Sequence, residues 1–336
     1  MIYPKFIKEN DCIGVIAPSN GAKDELKINK YNNAKKNLES LGYKLELSKN
    51  IYKSNKARSA DKLVRAKEVN SFFDSDCDVI MCASGGEFLV EILPYVDFSK
   101  LFKKPKYVCG FSDPTGLLFP ITTKYDIATI YGQNFSSLGS ESFHKSELDF
   151  LEIIKGNLIE LNNYDMYEGE RGERITGLEV LNLTDKVKYK EIKDREVELT
   201  GRIIGGCFDI ISELCGTKYD GMKEFNNKYG KDGIIWYFDN CELSLEETIR
   251  TLWKLNEFDY FKYAKCVIIG RFGNESSCLE YDVKSCLLDS VLCEMNIPVI
   301  YDADFSHKAP CLPVINGSIA SIKYKNHKFK IKYELR

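Results

Sequence analysis

Apolar residues in the first half of the chain recur in two rhythms. Cys12-Ile-Gly-Val-Ile-Ala17 and Cys77-Asp-Val-Ile-Met-Cys-Ala83 are short, nearly continuous apolar runs bounded by turn residues, which predicts buried strands. Lys44-Leu-Glu-Leu47 alternates as a strand does, and Ala128-Thr-Ile-Tyr131 reads as another. Between these runs the apolar positions fall at helical spacing: from Asp24 to Leu41, stopped by Gly42, from Lys62 to Phe73, and from Glu87 to about Leu93. The alternation predicts βαβ units around a parallel sheet of the flavodoxin-like, doubly wound kind. In such sheets, sites form outside the carboxyl ends of the strands. Ser19, Gly85-Gly86 and Ser112 all lie at such ends.

The second half is mixed. Arg202-Ile-Ile-Gly-Gly206 leads into a helix through Leu214, and the strand Gly233 to Phe238 precedes a helix from Ser244 to Leu255. Cys266-Val-Ile-Ile-Gly270 and Ile297-Pro-Val-Ile-Tyr301 are strands on either side of a helix around Tyr281 to Met295. The tail alternates over Ile319 to Tyr324 and Phe329 to Tyr333 across the turn candidates Lys325-Asn-His327, a terminal hairpin. A polar stretch from Asn162 to Arg174 is the best linker candidate. At 336 residues two domains are expected: 1–165, a linker at 166–175, and 176–336.

Composition narrows the function classes. Hydrophobic content of 44% and charged content of 29% are ordinary for a soluble globular protein. A net charge of −3 gives no reason to expect nucleic acid or an anionic membrane as partner. The first ten residues contain no apolar core of signal-peptide length, and no run approaches a transmembrane helix, so the cytoplasm is the expected location. The 12 cysteines form no Cys-x-x-Cys pair or zinc-like spacing. Most sit in apolar surroundings and read as buried thiols in a reducing compartment, so neither a disulfide framework nor a metal site is expected.

The segment Lys106-Tyr-Val-Cys-Gly-Phe-Ser-Asp-Pro-Thr115 holds the first candidate for chemistry. Tyr107 and Val108 are strand formers, Gly110 frees the backbone to turn, and Asp113-Pro114 fits a helix start. Ser112 therefore stands where a strand ends and a helix begins, beside backbone N–H groups aimed at any developing negative charge. On this segment alone, Ser112 and Asp113 read as helix caps. The chain has 3 histidines. His144 and His327 fall in polar surface segments, whereas His307 follows the strand Val299-Ile-Tyr301 and the segment Asp302-Ala-Asp-Phe-Ser306. Asp239 directly follows the apolar strand Ile234 to Phe238, a position suited to orienting a histidine, and Glu242 is a competing acid.

In order along the chain, these residues resemble the LD-carboxypeptidases, a serine-peptidase family that includes the hydrolases giving immunity to microcin C. The resemblance rests on Ile13-Gly-Val-Ile-Ala-Pro-Ser19, Gly85-Gly86, Gly110-Phe-Ser-Asp-Pro-Thr115, Tyr131-Gly-Gln133, Gly205-Gly206 with Leu214-Cys-Gly-Thr217, Asp239, Arg250, Asp304-Phe-Ser-His307 and Leu312-Pro313. It implies an α/β N-terminal domain and a smaller mixed α/β C-terminal domain with a β-rich, barrel-like core. It also implies a Ser–His–acid triad with Ser112 as nucleophile, His307 as general base and Asp239 as acid, where the family usually has Glu. The amides of Gly86 and Asp113 are the natural oxyanion donors, and Gly85 and Glu242 are substrate-binding candidates. The Gly-x-Ser-x-Gly elbow of α/β-hydrolases is absent.

By the same resemblance, the substrate is a small murein-type peptide ending in a D-amino acid. The resemblance implies no metal or organic cofactor, and a homodimer is expected from it. Two departures bear on activity. Aspartate at 239 shortens the acid's arm by roughly 1.5 Å, and Cys207 stands where the family's Gly-Gly-Asn has its amide. Extra length around residues 135–200 keeps a microcin C-type amidase open as the alternative, and the two departures keep a non-catalytic peptidoglycan-fragment binder open. A flavodoxin-like nucleotide-binding module is disfavoured, because the chain lacks Gly-x-Gly-x-x-Gly after its first strand. Because His307 must be neutral to act as base, activity is expected to fall on its acidic limb.

Overall fold

A computed structural model of the chain describes residues 1–336. In chain order its strands are β1 (Cys12–Ile16), β2 (Lys44–Leu47), β3 (Val79–Cys82), β4 (Tyr107–Gly110), β5 (Thr129–Tyr131), β6 (Leu161–Asn162), β7 (Met166–Tyr167) and β8 (Asp185–Lys186). They continue as β9 (Lys190–Glu191), β10 (Val197–Cys207), β11 (Ile234–Asp239), β12 (Ala264–Gly270), β13 (Val299–Ala303), β14 (Val314–Asn316), β15 (Ile319–Lys325) and β16 (Lys328–Glu334). Two compact units result. The first comprises residues 1–157, 171–181 and 313–315, and the second residues 158–170, 182–312 and 316–336. The polar stretch 162–174 is thus shared between the units, and it carries the short strand β7.

The first unit is built on a six-stranded sheet in the order β14-β5-β4-β3-β1-β2, with β1 to β5 pairing in parallel. Every residue of β3, β4 and β5 is buried, which is why these strands read as continuous apolar runs. The helix Glu25–Ser40 starts at Asp24, whose side chain accepts from Lys27 N, and it buries Tyr31, Ala34 and Leu38. Strand order reverses between β1 and β3, and the turns that follow these two strands carry Ser19 and Gly85-Gly86. Crevices at such a reversal are where α/β sheets bind ligands.

The segment expected to be a helix from Glu87 to Leu93 is instead a 3₁₀ helix, Leu89–Tyr95. Its bonds span three residues, Glu91 N to Phe88 O and Val96 N to Leu93 O, and Pro94 inside it supplies no N–H for a longer bond to Val90 O.

The second unit holds an eight-stranded sheet in the order β6-β16-β15-β10-β11-β12-β13-β9. Strands β10 to β13 are parallel, and β15 and β16 form the terminal hairpin, with Asn326 and His327 in left-handed conformation at its turn. The barrel-like core expected for this half is not formed. The sheet is open, because its edges, β6 and β9, are two-residue strands that pair only inward. The helix expected over Tyr281 to Met295 is two short ones, Val283–Leu288 and Val291–Glu294, because Ser290 caps a fresh start. All 12 cysteines are free thiols, and no helix is long and apolar enough to cross a membrane.

Candidate active site

In the first unit, β4 ends at Gly110 and the helix Thr115–Thr123 begins five residues on. Ser112 occupies the turn between them with φ +70°, a left-handed conformation that costs a residue with a Cβ about 1–3 kcal/mol. Three contacts hold it there. The Asn134 side chain brackets Phe111, its Oδ1 accepting from Phe111 N at 3.0 Å and its Nδ2 donating to Phe111 O at 3.1 Å. Ser112 N donates to Tyr131 Oη at 3.3 Å, and Thr115 N donates to Ser112 O at 2.8 Å. The diglycine turn lies against this serine: a Cβ added to Gly85 would sit 3.2 Å from Ser112 Oγ.

Asp113 does not cap the helix; the cap position is Pro114, with no side-chain bond. The Asp113 carboxyl turns inward, buried, and accepts from Ser19 Oγ and from Leu89 N. Burial pushes its pKa up to about 6, against the lowering effect of those bonds. One carboxyl thus ties the turn after β1 and the segment after β3 to the serine turn. The N–H groups of Gly86 and Asp113 donate to no protein acceptor. Asn134 and Tyr131 are positioning residues that the local pattern does not reveal; Tyr131 is visible only as part of the Tyr131-Gly-Gln133 resemblance.

In the second unit, β11 delivers Asp239 at its carboxyl end, fully buried and in register beside Cys207 of β10. His307 Nδ1 stands 2.8 Å from Asp239 Oδ1, so the shorter arm of aspartate reaches its histidine. Burial lowers the His307 pKa, but the Asp239 charge and hydrogen bond outweigh it, with the Cys241 sulfur adding to them, and hold the imidazole well above its ordinary value. Burial first, and then the charges of Asp209 and Asp239, keep the Cys207 thiol protonated.

Two residues that the sequence pattern does not single out organise this pair. Asp209, in the first turn of the helix Phe208–Leu214, accepts from Cys241 N at 3.0 Å, Glu242 N at 2.9 Å and Leu243 N at 3.1 Å, and so fixes the loop that leaves Asp239. Glu242 is exposed on that loop, where Asn274 Nδ2 donates to its carbonyl at 2.7 Å. Arg271, just past β12, organises the histidine loop. Its guanidinium donates to Lys308 O at 2.7 Å, to Pro310 O at 2.9 Å and to buried Asp304, while Ser306 Oγ donates to Arg271 O at 2.8 Å. Arg271→Ala is expected to destabilise the protein by about 3–5 kcal/mol, because Asp304 would be left as an uncompensated buried charge; denaturant unfolding measures it.

The other two histidines serve locally. His144 is half-buried and caps the helix Lys145–Ile154, its Nδ1 accepting from Ser146 N at 3.1 Å. His327 sits exposed in the hairpin turn, with Nδ1 2.8 Å from Tyr189 O.

The comparisons show that the chain is a serine-peptidase-type hydrolase. Residues 13–132 match the LD-carboxypeptidase N-terminal domain and residues 200–322 its C-terminal domain. The chain belongs to the LD-carboxypeptidase family, and its activity is of the carboxypeptidase or MccF type. A putative carboxypeptidase of Vibrio cholerae is 28% identical, over 98% of each chain. The microcin C7 self-immunity protein MccF of Escherichia coli is 27% identical, over 88% of this chain and 85% of its own. The crystal structure of an MccF-like protein from Bacillus anthracis superposes with a TM-score of 0.84 at 26% identity, over 100% of both chains.

Proposed function

We propose that Ser112, His307 and Asp239 act as a catalytic triad hydrolysing the amide bond before a C-terminal D-amino acid in murein-type peptides. The observation that carries this reading is the buried Asp239 carboxylate 2.8 Å from His307 Nδ1. That bond fixes the imidazole tautomer and leaves Nε2 to accept a proton. His307 takes the Ser112 proton as Ser112 Oγ attacks the substrate carbonyl, and the resulting oxyanion is held by the N–H groups of Gly86 and Asp113. His307 then protonates the departing amine, and water, activated by the same imidazole, releases the acyl group and restores Ser112.

The oxyanion assignment carries its own expectation. A Cβ on Gly86 would fall 2.2 Å from Ser19 Oγ, the hydroxyl bonded to Asp113, so the turn must shift to admit it. Gly86→Ala is expected to lower kcat by about 10²-fold or more, with near-native far-UV circular dichroism, since a misplacement of about 1 Å costs that much.

An anionic substrate is supported by a cavity of about 430 Å³ in the second unit, where Lys186, Lys188, Lys190, Lys284 and Lys308, the residue after His307 in sequence, outnumber the acids Glu275, Asp282 and Asp302. Lys190 and Lys308 are paired with Asp302 at 2.9 Å and Glu275 at 2.7 Å. A murein-type peptide with free carboxylates suits such a cavity. The likeness to MccF supports a second reading, an amidase acting on aminoacyl-nucleotide analogues. Turnover of a murein tetrapeptide against an aminoacyl sulfamoyl-adenosine separates them. The proposal expects release of the terminal D-amino acid at the higher kcat/KM; faster cleavage of the adenosine compound overturns the murein assignment.

A further inference from the structure

Cys12 opens β1, and Cys77 lies two residues before β3. Both stand at the amino end of the parallel sheet of the first unit, whereas the Ser112 turn follows the carboxyl end of β4. Strand β1 pairs with β2 on one side and β3 on the other, so the leading ends of three strands lie side by side. The Cys12 and Cys77 sulfurs are 3.5 Å apart, and Cys77 Sγ is 3.4 Å from Glu46 Oε2 on β2. All three donor atoms lie within 4.8 Å of one another. Glycine at 14 leaves room for this arrangement. Gly14 is the register partner of Glu46, and a Cβ there would come within 3.1 Å of Cys77 Sγ and 2.7 Å of the Phe72 ring. Asp78 Oδ2 accepts from Cys12 N at 2.8 Å and anchors the first cysteine.

Around a tetrahedral zinc, with Zn–S of about 2.3 Å and Zn–O of about 2.1 Å, neighbouring donor atoms stand roughly 3.6–3.8 Å apart. The Cys12–Cys77 and Cys77–Glu46 spacings fall within a few tenths of an ångström of that, and the Cys12–Glu46 spacing stays within 4.8 Å. We propose that Cys12, Cys77 and Glu46 form a site for zinc or a similarly thiophilic divalent cation, with a fourth position open to water on the exposed Glu46 side. Two thiolates select zinc over magnesium or calcium, which take oxygen donors. The ion would tie β1, β2 and the approach to β3 at the edge away from the serine, which makes it a structural tie and not part of the hydrolytic chemistry. The ligands are 31 to 65 residues apart, so no Cys-x-x-Cys spacing announces them.

The test uses the full chain, reduced and stripped by a chelator, titrated with Zn²⁺ against a chromophoric competitor and with Co²⁺ while thiolate-to-cobalt charge-transfer absorption is followed. The expected result is one ion per chain with a thiolate band. The Cys12→Ser/Cys77→Ser double variant should lose affinity by more than about 100-fold, beyond what loss of an outer partner costs. Cys278→Ser, at the exposed cysteine, should bind as wild type. If the double variant misfolds, Glu46→Gln, at an exposed strand position, must still weaken binding by about 10-fold or more. The proposal is overturned by a reduced wild type with no thiolate band, by unchanged affinity in the variants, or by a chain whose Cys12 and Cys77 are recovered only as a disulfide.

Discussion

Ser112→Gly is expected to raise the unfolding free energy by about 1 kcal/mol while lowering kcat by about 10⁵–10⁶-fold. The two effects have one cause. Ser112 holds φ +70° between β4 and the helix Thr115–Thr123 because Asn134, Tyr131 and the Asp113 knot over-determine the turn around it. Glycine adopts that conformation without a Cβ penalty, so the strain is relieved, offset in part by the extra freedom of glycine in the unfolded chain. Ser112→Ala separates the terms: it loses the hydroxyl but keeps the Cβ, so activity falls equally and stability gains nothing. Urea unfolding of both variants beside kcat measures the split. Equal stability in the two would mean that the turn stores no strain.

Asp239→Asn is expected to cost about 10⁴-fold in kcat and to move the acidic limb of kcat/KM to lower pH. The carboxylate holds the His307 pKa above its ordinary value of about 6.5, so the wild-type limb lies above that pH, where loss of the proton creates the base. The linked stability has a definite sign. A histidine whose pKa is raised on folding contributes stability that is fully present below the unfolded value, near 6.5, and is lost as pH rises through the folded value. The wild type should therefore lose stability as pH rises above about 6.5, and Asp239→Asn should abolish that slope. A limb that does not move would show that another group controls the rate.

The parallel sheet of the first unit was legible because β1, β3 and β4 are buried on both faces, so their apolar runs are nearly unbroken. The terminal hairpin is legible from strict alternation, with buried Phe329, Ile331 and Tyr333 set between exposed residues across Lys328–Glu334. The positions of Ser112, Asp239 and His307 at strand ends could be read, and resemblance ordered them. What holds them could not. Arg271 reaches Lys308, Pro310 and Asp304 across more than thirty positions, and Asp209 reaches Cys241 to Leu243 across a similar gap. Such bonds leave no local periodicity. The open edges of the second sheet leave no sequence signal for a related reason, since β6 and β9 are too short to show alternation.

Labelling of the whole chain with a fluorophosphonate, followed by peptide mass spectrometry, tests the central claim most directly. The triad predicts one phosphonylated residue, Ser112, with labelling abolished in Ser112→Ala and strongly slowed in Asp239→Asn. Absence of any adduct on the folded wild type, or labelling that persists unchanged in Ser112→Ala, would contradict it.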